Sequence, residues 1–200
     1  MKKQLFFIAM AIALVVPVEA QSTYREKVTA FCKKSASTIV NVAQDCLLAY
    51  TIAIVTVLAH EVGHGMVSKI CYDYYGGIGI GGKYTDPALL TIPYANITLK
   101  GFELYRGYCV SAKGEGEESY YLKNMIGSAA GPVCGILASL ISLKLLNRNT
   151  PNKYPLSRAI CYYSMFMNIK NTIPDGANND GQQFIDSYRK YKSFKTEQQV

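Results

Sequence analysis

The chain has 200 residues, half of them hydrophobic and only 18% charged, a length for one domain or two small ones and a balance that leans toward a membrane. Its net charge of +7 gathers into no long basic block and it contains no Trp, which removes the basis for a nucleic-acid surface built on stacking platforms. The six cysteines form no CxxC pair and lie scattered, unlike a disulfide framework or a zinc ribbon, so most are expected to be small buried hydrophobes.

Residues 1–20, MKKQLFFIAMAIALVVPVEA, combine a basic start, an apolar run from Leu5 to Val16, and Val18 and Ala20 placed as at a small-residue cleavage site. This is the pattern of a signal peptide or an uncleaved signal anchor. Either delivers Gln21 onward across the membrane, making 21–45 an extracytoplasmic segment.

From Cys46 to Ser68 the only charged residue is Glu61, and Asp45 and Lys69 bracket the run. A helix of that length covers about 30 Å, the thickness of the hydrocarbon core. The pattern then turns extended over about 76–110, with GGIGIGG (Gly76 to Gly82) and NITLKGFELYRGYCV (Asn96 to Val110), which predicts two to four short strands and a bend at Gly101. GEGEE (114–118) is expected to be a solvated polar turn.

A second span is predicted over 124–143, uncharged and rich in the small residues that let membrane helices pack closely. A third, about 154–173, reaches spanning length only if Arg158 and Lys170 snorkel. The tail, 186–200, continues a pattern from Gly181 that sets Phe184, Ile185, Tyr188 and Tyr191 on one face, as in an amphipathic interfacial helix or a solvated one. The predicted fold is an α-helical integral membrane protein, a three-helix core over 46–185 with a small membrane-associated β-sheet inserted between its first two helices. Thirteen of the 21 Lys and Arg residues then lie on the cytoplasmic side, in the sense of the positive-inside rule.

At the end of the first span stands AHEVGHGM (59–66), and an ionisable residue inside such a run is a functional candidate by default. On a helix His60 and His64 share a face and two imidazoles can reach one zinc ion, while Glu61 can serve as general base toward a zinc-activated water. These are the only two histidines in the chain. The extended metzincin form needs Gly and His where Val67 and Ile70 stand, so the third ligand must be Asp, Glu or Cys.

Downstream the chain reads NTIPDGANNDGQQF (Asn171 to Phe184). An HExGH motif closing the first membrane helix, a GP motif in the second, and NxxP followed by an Asp-Gly pair resemble the site-2 protease family of intramembrane zinc metalloproteases, over roughly 46–185. The resemblance implies one zinc per chain held by His60, His64 and the aspartate of an Asp-Gly pair, Glu61 as the catalytic base, and Asn171 and Pro174 helping to hold the substrate strand. It also implies hydrolysis of membrane-spanning proteins at a cell (inner) membrane, with the active site toward the cytoplasm. The family spaces its proline from the Asp-Gly pair by several residues, which favours Asp180 as third ligand over Asp175.

Each residue also has a plainer role. Asp175 in PDG suits a turn, Asp180 can cap the GQQF helix with Gln183 reciprocating, and Asn171 and Pro174 can simply end a helix. Two departures from the family stand out: Gly135 where an asparagine is common, and Lys170 where an apolar residue is usual. Two rival readings are a secreted soluble HExxH zinc protease with Glu103 as third ligand, and a catalytically silent membrane protein of the same fold that binds partners.

Overall fold

The computed structural model describes residues 18–103, 105–113, 115–149, 153–176 and 179–198, with side chains from Glu26 onward, so the apolar run of the expected signal segment lies outside the described residues. Between Val18 and Val62 the sequence holds neither Gly nor Pro, and a single helix, α1 (Val18–Tyr72), runs through it. It ends where Asp73 takes the left-handed conformation (φ 52°). By contacts the chain divides into residues 1–44 and 45–200. In the first, the described side chains of helical residues 26–44 are nearly all exposed. The second carries every other element.

Four three-residue strands follow: β1 (Ile78–Ile80), β2 (Leu90–Ile92), β3 (Ile97–Leu99) and β4 (Gly107–Cys109). They form one sheet in the order β2-β3-β1-β4, with β1 parallel to β3 and the other two pairs antiparallel. Ile78 and Ile80 bury one face of the sheet against Val57 of α1, joined by Ile54, Leu58, Val62 and Tyr105. The sheet is thereby seated beside the stretch of α1 that carries the histidines. Gly101 lies just past β3, where a Cβ would meet the Gly81 carbonyl at 2.3 Å, so the two backbones approach closely.

The remaining helices are α2 (Glu118–Asn149), α3 (Pro155–Asn171) and α4 (Asp180–Glu197). The first turn of α3 has no cap from its own flanking residue, Tyr154. Its exposed donors go instead to Asp45 of α1, whose carboxylate accepts from the Leu156 and Ser157 N–H groups, both at 2.9 Å, and from the Ser157 hydroxyl at 2.6 Å. Ile52, Leu146 and Cys161 close a small core between α1, α2 and α3.

Three expectations need correction. Two acids of the GEGEE stretch are ion-paired with α4 rather than merely solvated: Lys190 meets Glu115 at 2.9 Å and Lys195 meets Glu118 at 2.7 Å. The tail is accordingly docked on α2, where Tyr121 and Phe194 also stack edge to face. Of the cysteines, all free, Cys161 alone is buried. Separately, α1 and α2 are the two described helices long and apolar enough to cross a membrane, and the third predicted span, about 154–173, forms α3 over 17 residues.

Candidate metal centre

The helical repeat of α1 stacks His60 over His64, and α4 brings Asp180 against both from the far end of the chain. His60 Nε2 lies 3.1 Å from Asp180 Oδ2, His64 Nε2 lies 3.3 Å from Oδ1, and the two Nε2 atoms are 3.2 Å apart. These are the only three described residues of metal-ligating type that come together in this way. A tetrahedral zinc at about 2.0–2.1 Å from its ligands sets donor atoms about 3.3 Å apart, so the triangle has the size a zinc ion requires.

The outer nitrogens explain which atoms face inward. His64 Nδ1 lies 2.8 Å from the Gly127 carbonyl, an acceptor only, so that nitrogen carries the proton. His60 Nδ1 lies 2.7 Å from Asn168 Oδ1. Each ring thus commits Nδ1 as donor and turns Nε2 toward the other ring and a carboxylate. Two imidazole lone pairs and an anion in contact demand positive charge among them, from protons or from a metal. The donor chemistry fits zinc.

Local sequence places Asp180 with little freedom. Asn179 caps α4, its side chain accepting from the Gln182 N–H at 2.8 Å. The expected cap at Asp180 is therefore corrected: Asp180 is the first helical residue, and Gln183 instead accepts from Lys113. Gly181 sits where a Cβ would come 2.2 Å from the Thr172 carbonyl, which lets α4 start against the end of α3. Asn171 donates to Asp180 Oδ2. Burial pushes the Asp180 carboxyl up, but the hydrogen bonds and charges of His60 and His64 outweigh it and hold it at about 2, so the carboxylate is present throughout the neutral range.

Asp175 is exposed and bonded to Asn179, outside the triangle. Pro174 is exposed beside it and lines neither of the two cavities at the site. Glu103, the third ligand of the soluble alternative, faces solvent in an ion pair with Arg106, away from the histidines. Cys109 stands outside the triangle, and burial, then the nearby Glu61 charge, pushes its thiol up to about 12.

Glu61 is buried, 8% exposed, and reaches two cavities. One, about 310 Å³, is walled by Thr56, Val57, Tyr105 and Met167; the other, about 580 Å³, by Tyr84, Tyr108, Lys113 and Gln183. Asn171 and Gly107 line both, and a Cβ on Gly107 would stand 2.9 Å from Glu61 Oε1, so β4 runs directly past the base. Sequence reasoning passed over Asn168, although a lone asparagine in the apolar run MFMNI is a signal of its own. Comparison of the chain with family models, characterised proteins and solved structures returns no match.

Proposed function

We propose that the chain is a membrane-embedded zinc metalloendopeptidase of the site-2 protease type, cutting peptide bonds of membrane-spanning proteins. The observation that carries this is the triangle of His60, His64 and Asp180 at 3.1–3.3 Å with Glu61 buried beside it. When bound, zinc would supply Lewis acidity, polarising a peptide carbonyl and acidifying a water. Glu61 takes the proton of the attacking water and returns it to the leaving amine. Asn171 holds the Asp180 carboxylate in place and stands at the wall of both cavities, within reach of a substrate backbone.

The substrate must be extended where it is cut, because helical carbonyls are already paired. Edge strand β4, alongside Glu61, offers a partner for that extended segment. The three helices α1, α2 and α3 make the bilayer core in this proposal, in a cell (inner) membrane with the zinc site toward the cytoplasm.

The test is zinc content and peptide hydrolysis of the detergent-purified protein. Wild type should hold one zinc per chain, Asp175→Ala should keep it, and Asp180→Ala should lose it. Glu61→Gln should keep zinc and lose hydrolysis. A folded wild type without zinc would overturn the proposal, and hydrolysis surviving in Glu61→Gln would remove Glu61 from its role.

A further inference from the structure

We infer that Asn168 is a metal-positioning residue, and that residue 135 is glycine to make room for it. The inference rests on the zinc reading above and adds the device that aims one of the ligands.

Asn168 projects from α3 into the space between α1 and α2 and is 7% exposed. Its Nδ2 donates to the Ser164 carbonyl at 2.8 Å. A carbonyl only accepts, so the amide orientation is fixed and Oδ1 is the atom 2.7 Å from His60 Nδ1. That oxygen in turn only accepts. His60 must donate from Nδ1, and its Nε2 lone pair is left toward His64 and Asp180. Outer partners of this kind set the tautomer and ring angle of a ligating histidine, and losing one typically costs about 10–100-fold in metal affinity.

The opposite wall of the amide is Gly135 of α2. A Cβ there would lie 2.2 Å from Asn168 Oδ1 and 2.7 Å from Nδ2, well inside contact distance. An alanine would push the amide off its position, and with it the acceptor for His60. Gly135 therefore acts through Asn168, and the two should be coupled.

The experiment measures the zinc dissociation constant of the purified full chain by chelator competition, and separately the melting temperature of the metal-free protein. Asn168→Leu, with as many side-chain heavy atoms but no acceptor, should weaken zinc binding about 10–100-fold, and the metal-free melting temperature of the same variant separates that loss from the effect of the bulkier side chain on folding. Asn168→Asp, which keeps an acceptor oxygen, should bind far more tightly than Asn168→Leu. Gly135→Ala should weaken zinc binding when Asn168 is present and add nothing in Asn168→Ala. Wild-type affinity in Asn168→Leu, or equal effects of Gly135→Ala in both backgrounds, would overturn the inference and leave the zinc site standing. A folded wild type that takes up no zinc would overturn the zinc reading itself.

Discussion

The space for the ring of His64 is set from across the helix interface. A Cβ on Gly131 would lie 2.2 Å from His64 Nε2, the nitrogen that faces Asp180, and one on Gly63 would lie 2.5 Å from the Ala130 carbonyl. Gly131→Ala should therefore displace the imidazole, abolish stoichiometric zinc binding, and cost about 1–3 kcal/mol through overpacking. Elemental analysis with thermal melting of the same sample checks both parts, and a variant with full zinc content would show that the ring has other room. The glycines of HEVGH and GP were visible in the sequence, but a small residue in an apolar helix reads equally as close helix packing or as space for a ligand. Only the pairing of helices decides. The histidines and Glu61 were legible because their spacing lies within one helical turn. Asn168, which meets His60 across 108 positions of sequence, has no such local mark.

Among the elements, β4 shows how a three-residue strand carries more than its pattern. Strands this short hold too few alternations to fix a register, which is why the sheet order was not readable in advance. Its pairing with β1 aligns Ile78 with Cys109 and Ile80 with Gly107. Val110 exchanges hydrogen bonds with Gly76 and Gly77, and the Arg106 carbonyl accepts from Gly81, so residues 106, 108 and 110 point their polar groups toward β1. Alternation turns the N–H and C=O groups of Gly107 and Cys109 to the free edge, beside the cavities. Cys109→Pro removes an edge donor and no bond to β1, a place where sheets tolerate proline. If an extended substrate adds to this edge, the variant should keep its zinc and lose most peptide hydrolysis. Unchanged hydrolysis with zinc retained would mean the substrate is held elsewhere. α4 was legible as a helix but not as a docked one, because the acidic turn that receives Lys190 and Lys195 lies some 75 residues upstream.

For the molecule as a whole, the proposed bilayer around the 45–200 unit makes a demand on where polar and apolar side chains lie. Among the described residues the largest fully buried side chains are Thr56, Pro132, Cys161, Ser139, Ser157 and Ser164, small and mostly polar, while Leu137, Ile141, Phe166 and Ile169 are among those that face outward. The apolar windows of α1 and α2 are only 33% and 28% buried, whereas a core helix of a water-soluble protein would hide most of such a surface. Beside the small apolar clusters of Ile52 and Ile78, buried serine and threonine with large apolar residues turned outward are what helices packed in lipid show, where these hydroxyls serve close contact and hydrogen bonding. The Ser139 hydroxyl donates to Gly135 O at 2.9 Å and the Thr56 hydroxyl to Ile52 O at 2.8 Å, so these buried groups are satisfied within their own helices. After alkaline carbonate washing of cells expressing the full chain, the protein should therefore remain in the membrane pellet and be released by detergent. Release by carbonate alone would leave that outward apolar surface facing water, and would favour the secreted soluble protease, with Asp180 rather than the distant Glu103 beside its histidine pair.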